Sequence, residues 1–177
     1  GYNPELNKKF RSFMSQMNDL PKDPKEFGLV HGDFLFSNYF FDDDNNITVF
    51  DFDECEYSWY MYDIAVCMYY YLLGADPREL DSKIKEAEDM LYYLLLGYVE
   101  QCEVDLICLK NMDMLFRLRD YVLLSSVLES KSKLKGWSRY FAEAATDRLL
   151  TDKPFMPVNI EKVYRNVLTV RQKARED

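Results

Sequence analysis

Three side chains that could bind a metal ion are predicted to lie at one end of a β-hairpin. Two segments rich in aromatic and β-branched residues, 38–41 and 47–50, flank an acidic turn and read as antiparallel strands. The first residue of one such strand lies opposite the last residue of the other, so Asn38 and Asp51 are expected to converge. Asp33 precedes Asn38 by only five residues and should lie near the same end. Two carboxylates and one carboxamide oxygen suit Mg²⁺ and suit zinc poorly.

The elements that must position these side chains are mostly helical. Asn3 and Pro4 are typical of a helix start, and the apolar spacing that follows predicts one helix ending before Pro21. A short apolar strand, 27–30, leads towards Asp33. Beyond the hairpin, further helices are predicted over 63–73, from a capping box at 76–79 to 101, and over 110–129, 137–150 and 160–175. The predicted class is therefore α+β and mostly helical, with a small β-hairpin that carries the reactive residues and a helical bundle.

Composition excludes several classes of function. The 177 residues carry a net charge of -9, which argues against a nucleic-acid partner because phosphate binding needs clustered Lys and Arg. A single His, His31, leaves no His-rich metal site. No apolar run reaches the roughly 20 residues of a membrane span, and the four cysteines lack CxxC spacing. We therefore expect reduced thiols, a cytoplasmic location and no membrane partner.

The motif order resembles that of a known family. The run from His31 to Asn38 reads H-G-D-F-L-F-S-N; it is followed by V-F-D-F-D at 49–53 and D-I-A at 63–65. These three parts resemble the aminoglycoside phosphotransferase and choline kinase superfamily, whose members have a protein-kinase-like fold. The resemblance covers residues 28–66 directly, and the helical remainder has the character of that family's C-terminal lobe.

The resemblance implies phosphoryl transfer from ATP, or another nucleoside triphosphate, to a hydroxyl group of a small molecule such as an aminoglycoside, choline or homoserine. Asp33 would be the catalytic base, and Asn38 and Asp51 would bind Mg²⁺ and thereby the nucleotide. His31 would hold the loop in shape, and Asp63 would brace that loop from the start of its helix. These roles suit a transition state whose charge is spread over phosphate oxygens.

The acceptor site is less defined by the sequence. Asp53 follows Asp51 by two residues and, on a continuing strand, would share its face. Glu54 and Glu56 are either surface charges or an acidic wall for a cationic acceptor. Three aromatic residues just before Asp63 could line an acceptor pocket or pack in the core: Trp59, Tyr60 and Tyr62.

The sequence departs from the family in having no glycine cluster that could cover phosphates and no P-loop pattern. Only thirty residues precede His31, so the N-terminal lobe that supplies the nucleotide-binding Lys has no place. Residues 1–177 are therefore interpreted as a C-terminal lobe that lacks its N-terminal partner lobe and is inactive alone. The alternatives are a non-catalytic kinase-like binding module, a protein Ser/Thr kinase of the same superfamily, and a Mg²⁺-dependent phosphohydrolase.

Overall fold

The computed structural model describes the chain in two compact units. The described residues are 3–73, 80–102, 104, 109–130, 134–155 and 158–176. We call Gly1–Pro21 with Asp113–Phe155 the helical unit, and Lys22–Met112 with Met156–Asp177 the β-containing unit. None of the helices in the described ranges is long and apolar enough to cross a membrane.

The helical unit contains three helices in the described residues: α1 (Pro4–Asp19), α4 (Met112–Glu129, from Asp113 on) and α5 (Trp137–Thr151). Helix α1 begins as predicted, because the Asn3 side chain accepts hydrogen bonds from the first-turn N–H groups of Glu5 and Leu6 at 3.1 Å. Its buried residues, Phe13 and Met17, lie four positions apart on one face, and α1 packs against α5.

The β-containing unit holds two antiparallel pairs of strands. Strand β1 (Phe27–Val30) pairs with β4 (Glu56–Trp59), and β2 (Tyr39–Phe41) pairs with β3 (Ile47–Val49). The hairpin is therefore confirmed, with each strand one residue shorter than predicted. Strand β4 was not predicted, because its isolated sequence E-Y-S-W carries no turn signal that links it to β1.

Helix α2 (Met61–Leu73) forms the centre of the β-containing unit. Nine of its thirteen residues are buried, so it is apolar on all sides rather than on one stripe. Helix α3 (Leu80–Gln101) packs against α2 and against α6 (Ile160–Glu176). The predicted capping box at 76–79 lies outside the described residues. The predicted helices of residues 63–175 are otherwise confirmed in the described ranges, where their ends differ from the predicted ones by at most two residues.

Candidate active site

Asp63 joins the start of α2 to the loop that follows β1. Its two carboxylate oxygens accept hydrogen bonds from the backbone N–H groups of His31 and Gly32, each at 2.9 Å. The helix was predicted to begin at Asp63, but α2 begins at Met61 and Asp63 lies in its first turn. The carboxylate is thus directed at another segment, and it satisfies two backbone donors in a buried part of the 31–38 loop.

His31 connects the 31–38 loop to the end of the hairpin. It is buried, and its Nε2 lies 3.0 Å from the backbone oxygen of Phe50. Because a carbonyl only accepts, Nε2 carries the hydrogen, and Nδ1 then accepts the N–H of Asp33 at 3.3 Å. The neutral imidazole satisfies both contacts at once, which fits a structural use of this ring better than proton transfer.

Gly32 lies where no side chain can fit. Its φ of 78° is in the left-handed region, and an added Cβ would collide with the backbone carbonyl of Glu54. The 31–38 loop therefore touches the segment after the hairpin directly, backbone against backbone. The sequence motif contains this glycine, but only the structure identifies Glu54 as the reason for it.

Asn38 orients the Asp33 side chain. Its Nδ2 donates to the Asp33 backbone oxygen at 2.9 Å and to a carboxylate oxygen of Asp33 at 3.1 Å. Asn38 is buried, and its Oδ1 accepts the Ser37 hydroxyl at 3.2 Å. The carboxamide thus has its nitrogen committed to Asp33 and presents its oxygen on the opposite side.

Asp51 follows the hairpin directly, but it is not opposite Asn38 as predicted. The backbone N–H of Phe50 donates to the Asn38 oxygen at 3.0 Å, so Phe50 takes the position opposite Asn38. Asp51 comes one residue later with a φ of 65°, a conformation unusual for a non-glycine residue and frequent at functional sites. It is exposed. Among the described residues, no three His, Cys, Asp or Glu side chains converge as metal ligands.

The other acidic residues after the hairpin do not lie on a strand. Strand β3 ends at Val49, and residues 50–55 form a loop with a turn at 53–54. The prediction that Asp51 and Asp53 share one face of a continuing strand is therefore wrong. Asp53 and Glu54 are exposed. Glu56, the first residue of β4, is also exposed. It pairs with Val30, the last residue of β1, which immediately precedes the 31–38 loop.

Trp59 and Tyr60, which could line an acceptor pocket or pack in the core, lie at the end of the β1–β4 pair that is far from the 31–38 loop. Trp59 is opposite Phe27, with the two rings edge to face at 5.1 Å. The Tyr60 hydroxyl donates to the Pro24 oxygen at 3.3 Å, and its ring covers Gly28. Both side chains therefore pack on β1, about 10 Å of strand from its end at the 31–38 loop.

Tyr39 links the hairpin to α2 behind the site. Its ring stacks on Phe34 at 5.1 Å, and its hydroxyl forms a hydrogen bond with the Cys67 thiol. Burial raises the pKa of Tyr39 to about 12 and the pKa of Cys67 to about 11. Both groups are consequently neutral at physiological pH. Cys67 is free, as are Cys55 and Cys102, and of these three only Cys67 is buried.

Sequence reasoning missed two polar contacts in the 31–38 loop. Ser37 donates to Asn38, and the Phe50 carbonyl accepts from His31. A serine beside a candidate metal ligand was a usable signal for the first contact. No sequence signal existed for the second, because a backbone carbonyl has the same chemistry at every position.

The chain is similar to phosphotransferases and kinases both in its sequence and in its fold. A profile of the phosphotransferase enzyme family matches residues 4–93. The amicoumacin kinase of Bacillus subtilis (strain 168) is 32% identical over 138 residues, which are 72% of this chain and 40% of that protein.

Two solved structures share the fold. The amicoumacin kinase hAmiN, in complex with AMP-PNP, Ca²⁺ and Ami, matches 90% of this chain and 48% of its own, with a TM-score of 0.76 and 20% identity. A microcompartment-associated aminopropanol kinase matches 84% of this chain and 45% of its own, with a TM-score of 0.58 and 20% identity. The chain thus spans less than half the length of each of these relatives.

Proposed function

The chain belongs to the phosphotransferase enzyme family, and from this premise we propose that it is the catalytic lobe of a small-molecule kinase. The proposed reaction transfers the γ-phosphoryl group of ATP, or of another nucleoside triphosphate, to a hydroxyl group. The observation that carries the proposal is the Asn38 carboxamide, which holds the Asp33 carboxylate and turns its own oxygen away from it. This contact supports a proposed proton acceptor, Asp33, next to a proposed metal ligand, Asn38.

Asp33 is the proposed catalytic base. Its N–H is held by His31 and its carboxylate by Asn38, so the carboxylate is held in one orientation in which it can meet the acceptor hydroxyl. In phosphoryl transfer through a loose transition state, orientation of the nucleophile matters more than base strength. A strong base is therefore not required.

Asn38 and Asp51 are the proposed ligands for Mg²⁺. The donor set fits this ion, because it consists of a carboxamide oxygen and an exposed carboxylate and contains no sulfur or imidazole. Two protein ligands are enough for an ion that keeps several waters and binds phosphates. When bound, Mg²⁺ would neutralise the negative charge that develops on the phosphate oxygens.

His31, Asp63 and Gly32 are proposed as positioning residues. Asp63 fixes the backbone of the 31–38 loop, and His31 ties this loop to Phe50, the residue before Asp51. The close approach of Gly32 to Glu54 keeps the segment after Asp51 next to the base. Together they set the separation between base and metal ligand, on which the rate of transfer depends.

The proposed acceptor is a small, amine-bearing molecule. Two relatives are named for amicoumacin and aminopropanol, and Asp53, Glu54 and Glu56 supply exposed negative charge after the hairpin. Clustered carboxylates attract cations, so they favour a positively charged acceptor over an anionic one. A second lobe that would supply the nucleotide cradle is the proposed further partner, because this chain spans less than half the length of the relatives that it matches.

The proposal is tested by following labelled γ-phosphate in a protein that includes both lobes, with aminopropanol, choline, homoserine and aminoglycosides as acceptors. Label on the acceptor, and only in the presence of Mg²⁺, is the expected result. Label released as inorganic phosphate without an acceptor would indicate a phosphohydrolase instead. No turnover of the nucleotide in the two-lobed protein would indicate a non-catalytic module.

A further inference from the structure

A second polar cluster lies on α2 and α3 and holds an ammonium group. The hydroxyl of Tyr71, on α2, donates to the carboxylate of Glu86, on α3. The Lys83 ammonium donates to the same carboxylate at 2.7 Å. It also lies 5.3 Å from the centre of the Tyr71 ring. A primary ammonium is therefore held between an aromatic face and a carboxylate, the two groups that bind this ion best in proteins.

The cluster lies one aromatic ring away from the proposed active site. The Phe36 ring is 6.2 Å from the Tyr71 ring, and Phe36 belongs to the 31–38 loop between Asp33 and Asn38. The Phe36 side chain is half exposed. Phe36 therefore connects the loop that carries Asp33 to the ring of Tyr71, and its exposed ring is accessible to a ligand.

The contacts of Lys83 are easily exchanged. Lys83 and Glu86 are three residues apart on one helix, and both side chains are partly exposed. Such an exposed pair contributes little to stability. Another primary ammonium can consequently take the place of Lys83 at small cost, because it meets the same carboxylate and the same ring.

We propose that Tyr71 and Glu86 form a subsite for a primary ammonium group of the acceptor, and that Lys83 occupies this subsite until the acceptor displaces it. That the bound ammonium belongs to the acceptor rests on the proposed function, whereas binding of an ammonium ion at this subsite does not. Because the Phe36 and Tyr71 rings separate the subsite from Asp33, the acceptor is an elongated molecule. Its ammonium and its phosphorylated hydroxyl lie at separate ends.

The test is a binding titration of this chain with n-butylammonium chloride, which has the chemistry of a lysine side chain, and with 1-butanol as the neutral probe. NMR signals of the Tyr71 ring and of the Glu86 region report occupancy, and no phosphoryl transfer is needed. We expect n-butylammonium to perturb these signals and 1-butanol to leave them unchanged. Failure of the transfer assay would thus leave this result untouched.

Variants separate the subsite from a general effect of charge. Glu86→Gln should weaken n-butylammonium binding, and Lys83→Met should strengthen it roughly two- to fivefold, because the resident competitor is removed. Lys85→Met is the matched control. Lys85 lies on the same helix and pairs with Asp89 at 2.8 Å, so this change removes the same charge without touching Tyr71.

Three results would overturn the proposal. The first is equal binding of n-butylammonium and 1-butanol. The second is equal strengthening by Lys83→Met and Lys85→Met, which would indicate long-range charge alone. The third is unchanged affinity in Glu86→Gln. Urea unfolding of each variant checks the fold, and Lys83→Gln provides a second, polar removal of the competitor.

Discussion

Asp33 is held by two groups that the chain brings from different directions. His31 accepts its backbone N–H, and Asn38 donates to its carboxylate. A carboxylate fixed in this way loses little conformational entropy when it meets an acceptor hydroxyl. The effect of removing it should therefore appear in the rate of transfer rather than in nucleotide binding.

Asp33→Ala should lower the turnover of the two-lobed protein by roughly 10²- to 10⁴-fold, the usual contribution of a positioned general base. Nucleotide affinity should remain close to that of the unsubstituted protein. Steady-state kinetics and a nucleotide titration measure the two quantities. Asp44→Ala, in the exposed turn of the hairpin, is the control and should change neither. Substantial turnover in Asp33→Ala would show that another group is the base.

Asp51→Ala should instead weaken the binding of Mg²⁺. We expect the Mg²⁺-dependent part of nucleotide binding to disappear, because one of two proposed protein ligands is lost. Calorimetric titrations with and without Mg²⁺ measure this dependence. Asp43→Ala, also in the exposed turn, is the matched control. If nucleotide binding by Asp51→Ala still depends on Mg²⁺, Asp51 is not a ligand of the metal.

At the scale of elements, the site depends on how β1, the hairpin and α2 approach one another. Strand β1 comes close to Tyr60 because Gly28 has no side chain, and the Tyr60 ring occupies the space where one would lie. This contact fixes the segment between β4 and α2, and hence the position of Asp63 at the start of α2. Packing at Gly28 is thus coupled to the 31–38 loop.

Gly28→Ala should destabilise the fold by about 1–3 kcal/mol, because the added methyl group collides with the Tyr60 ring. Gly97→Ala is the matched control: nothing lies within 4 Å of its added Cβ, and it is inside helix α3. The control should stabilise by about 0.5–1 kcal/mol, since alanine suits a helix better than glycine. Urea unfolding measures both. Equal effects of the two substitutions would refute the steric explanation.

In the helical unit, the ion pair between Asp120 and Arg148 is the main buried polar contact of the described residues. Two guanidinium nitrogens of Arg148 donate to the two carboxylate oxygens of Asp120, at 2.7 and 3.1 Å. The Asp120 side chain is only 3% exposed. Loss of Arg148 would leave a buried carboxylate without its principal counter-charge.

Arg148→Met should therefore lower the free energy of unfolding by roughly 3–5 kcal/mol. Arg139→Met is the comparison on the same helix, because Arg139 pairs with Glu143 in a largely exposed position. Its cost should be far smaller, because water screens an exposed pair. Thermal and urea unfolding report the difference. If the two variants unfold alike, burial of the Asp120 pair has no energetic consequence.

At the scale of the whole molecule, the net charge of -9 is concentrated near the proposed site. Residues 42–63 hold eight acidic residues and no Lys or Arg. A local excess of negative charge attracts a divalent cation and a cationic acceptor and repels a free nucleotide. We therefore expect nucleotide binding to need both Mg²⁺ and basic groups from outside this chain.

This chain alone should show negligible phosphoryl transfer with millimolar Mg-ATP and any acceptor. Its sequence holds no glycine-rich phosphate loop, and it spans 40% of the Bacillus subtilis amicoumacin kinase. A sensitive assay of labelled γ-phosphate measures this. The two-lobed protein under the same conditions is the positive control. Turnover by the isolated chain would contradict the proposed need for a second lobe.

The hairpin and the helices could be predicted because their signals are local. Aromatic and β-branched residues around a turn, and apolar residues at helical spacing, are properties of short segments. The confirmed ends of α1 and α5 lie within two residues of the predicted ones. The β1–β4 pair could not be predicted in this way. Phe27 and Trp59 are opposite each other although more than thirty residues separate them. Such a pairing depends on the path of the intervening chain.

The sequence by itself determined the residue types of the proposed site, since the order H-G-D, N, D and D-I-A specifies an imidazole, a carboxamide and three carboxylates at fixed intervals. Only the tertiary structure decided what each of them touches. It directed Asp63 to the backbone of His31 and put Phe50, rather than Asp51, opposite Asn38. It also brought Tyr71, Lys83 and Glu86 together. The physical reason is that a contact between distant segments follows from packing and backbone dihedral angles, which no single residue encodes.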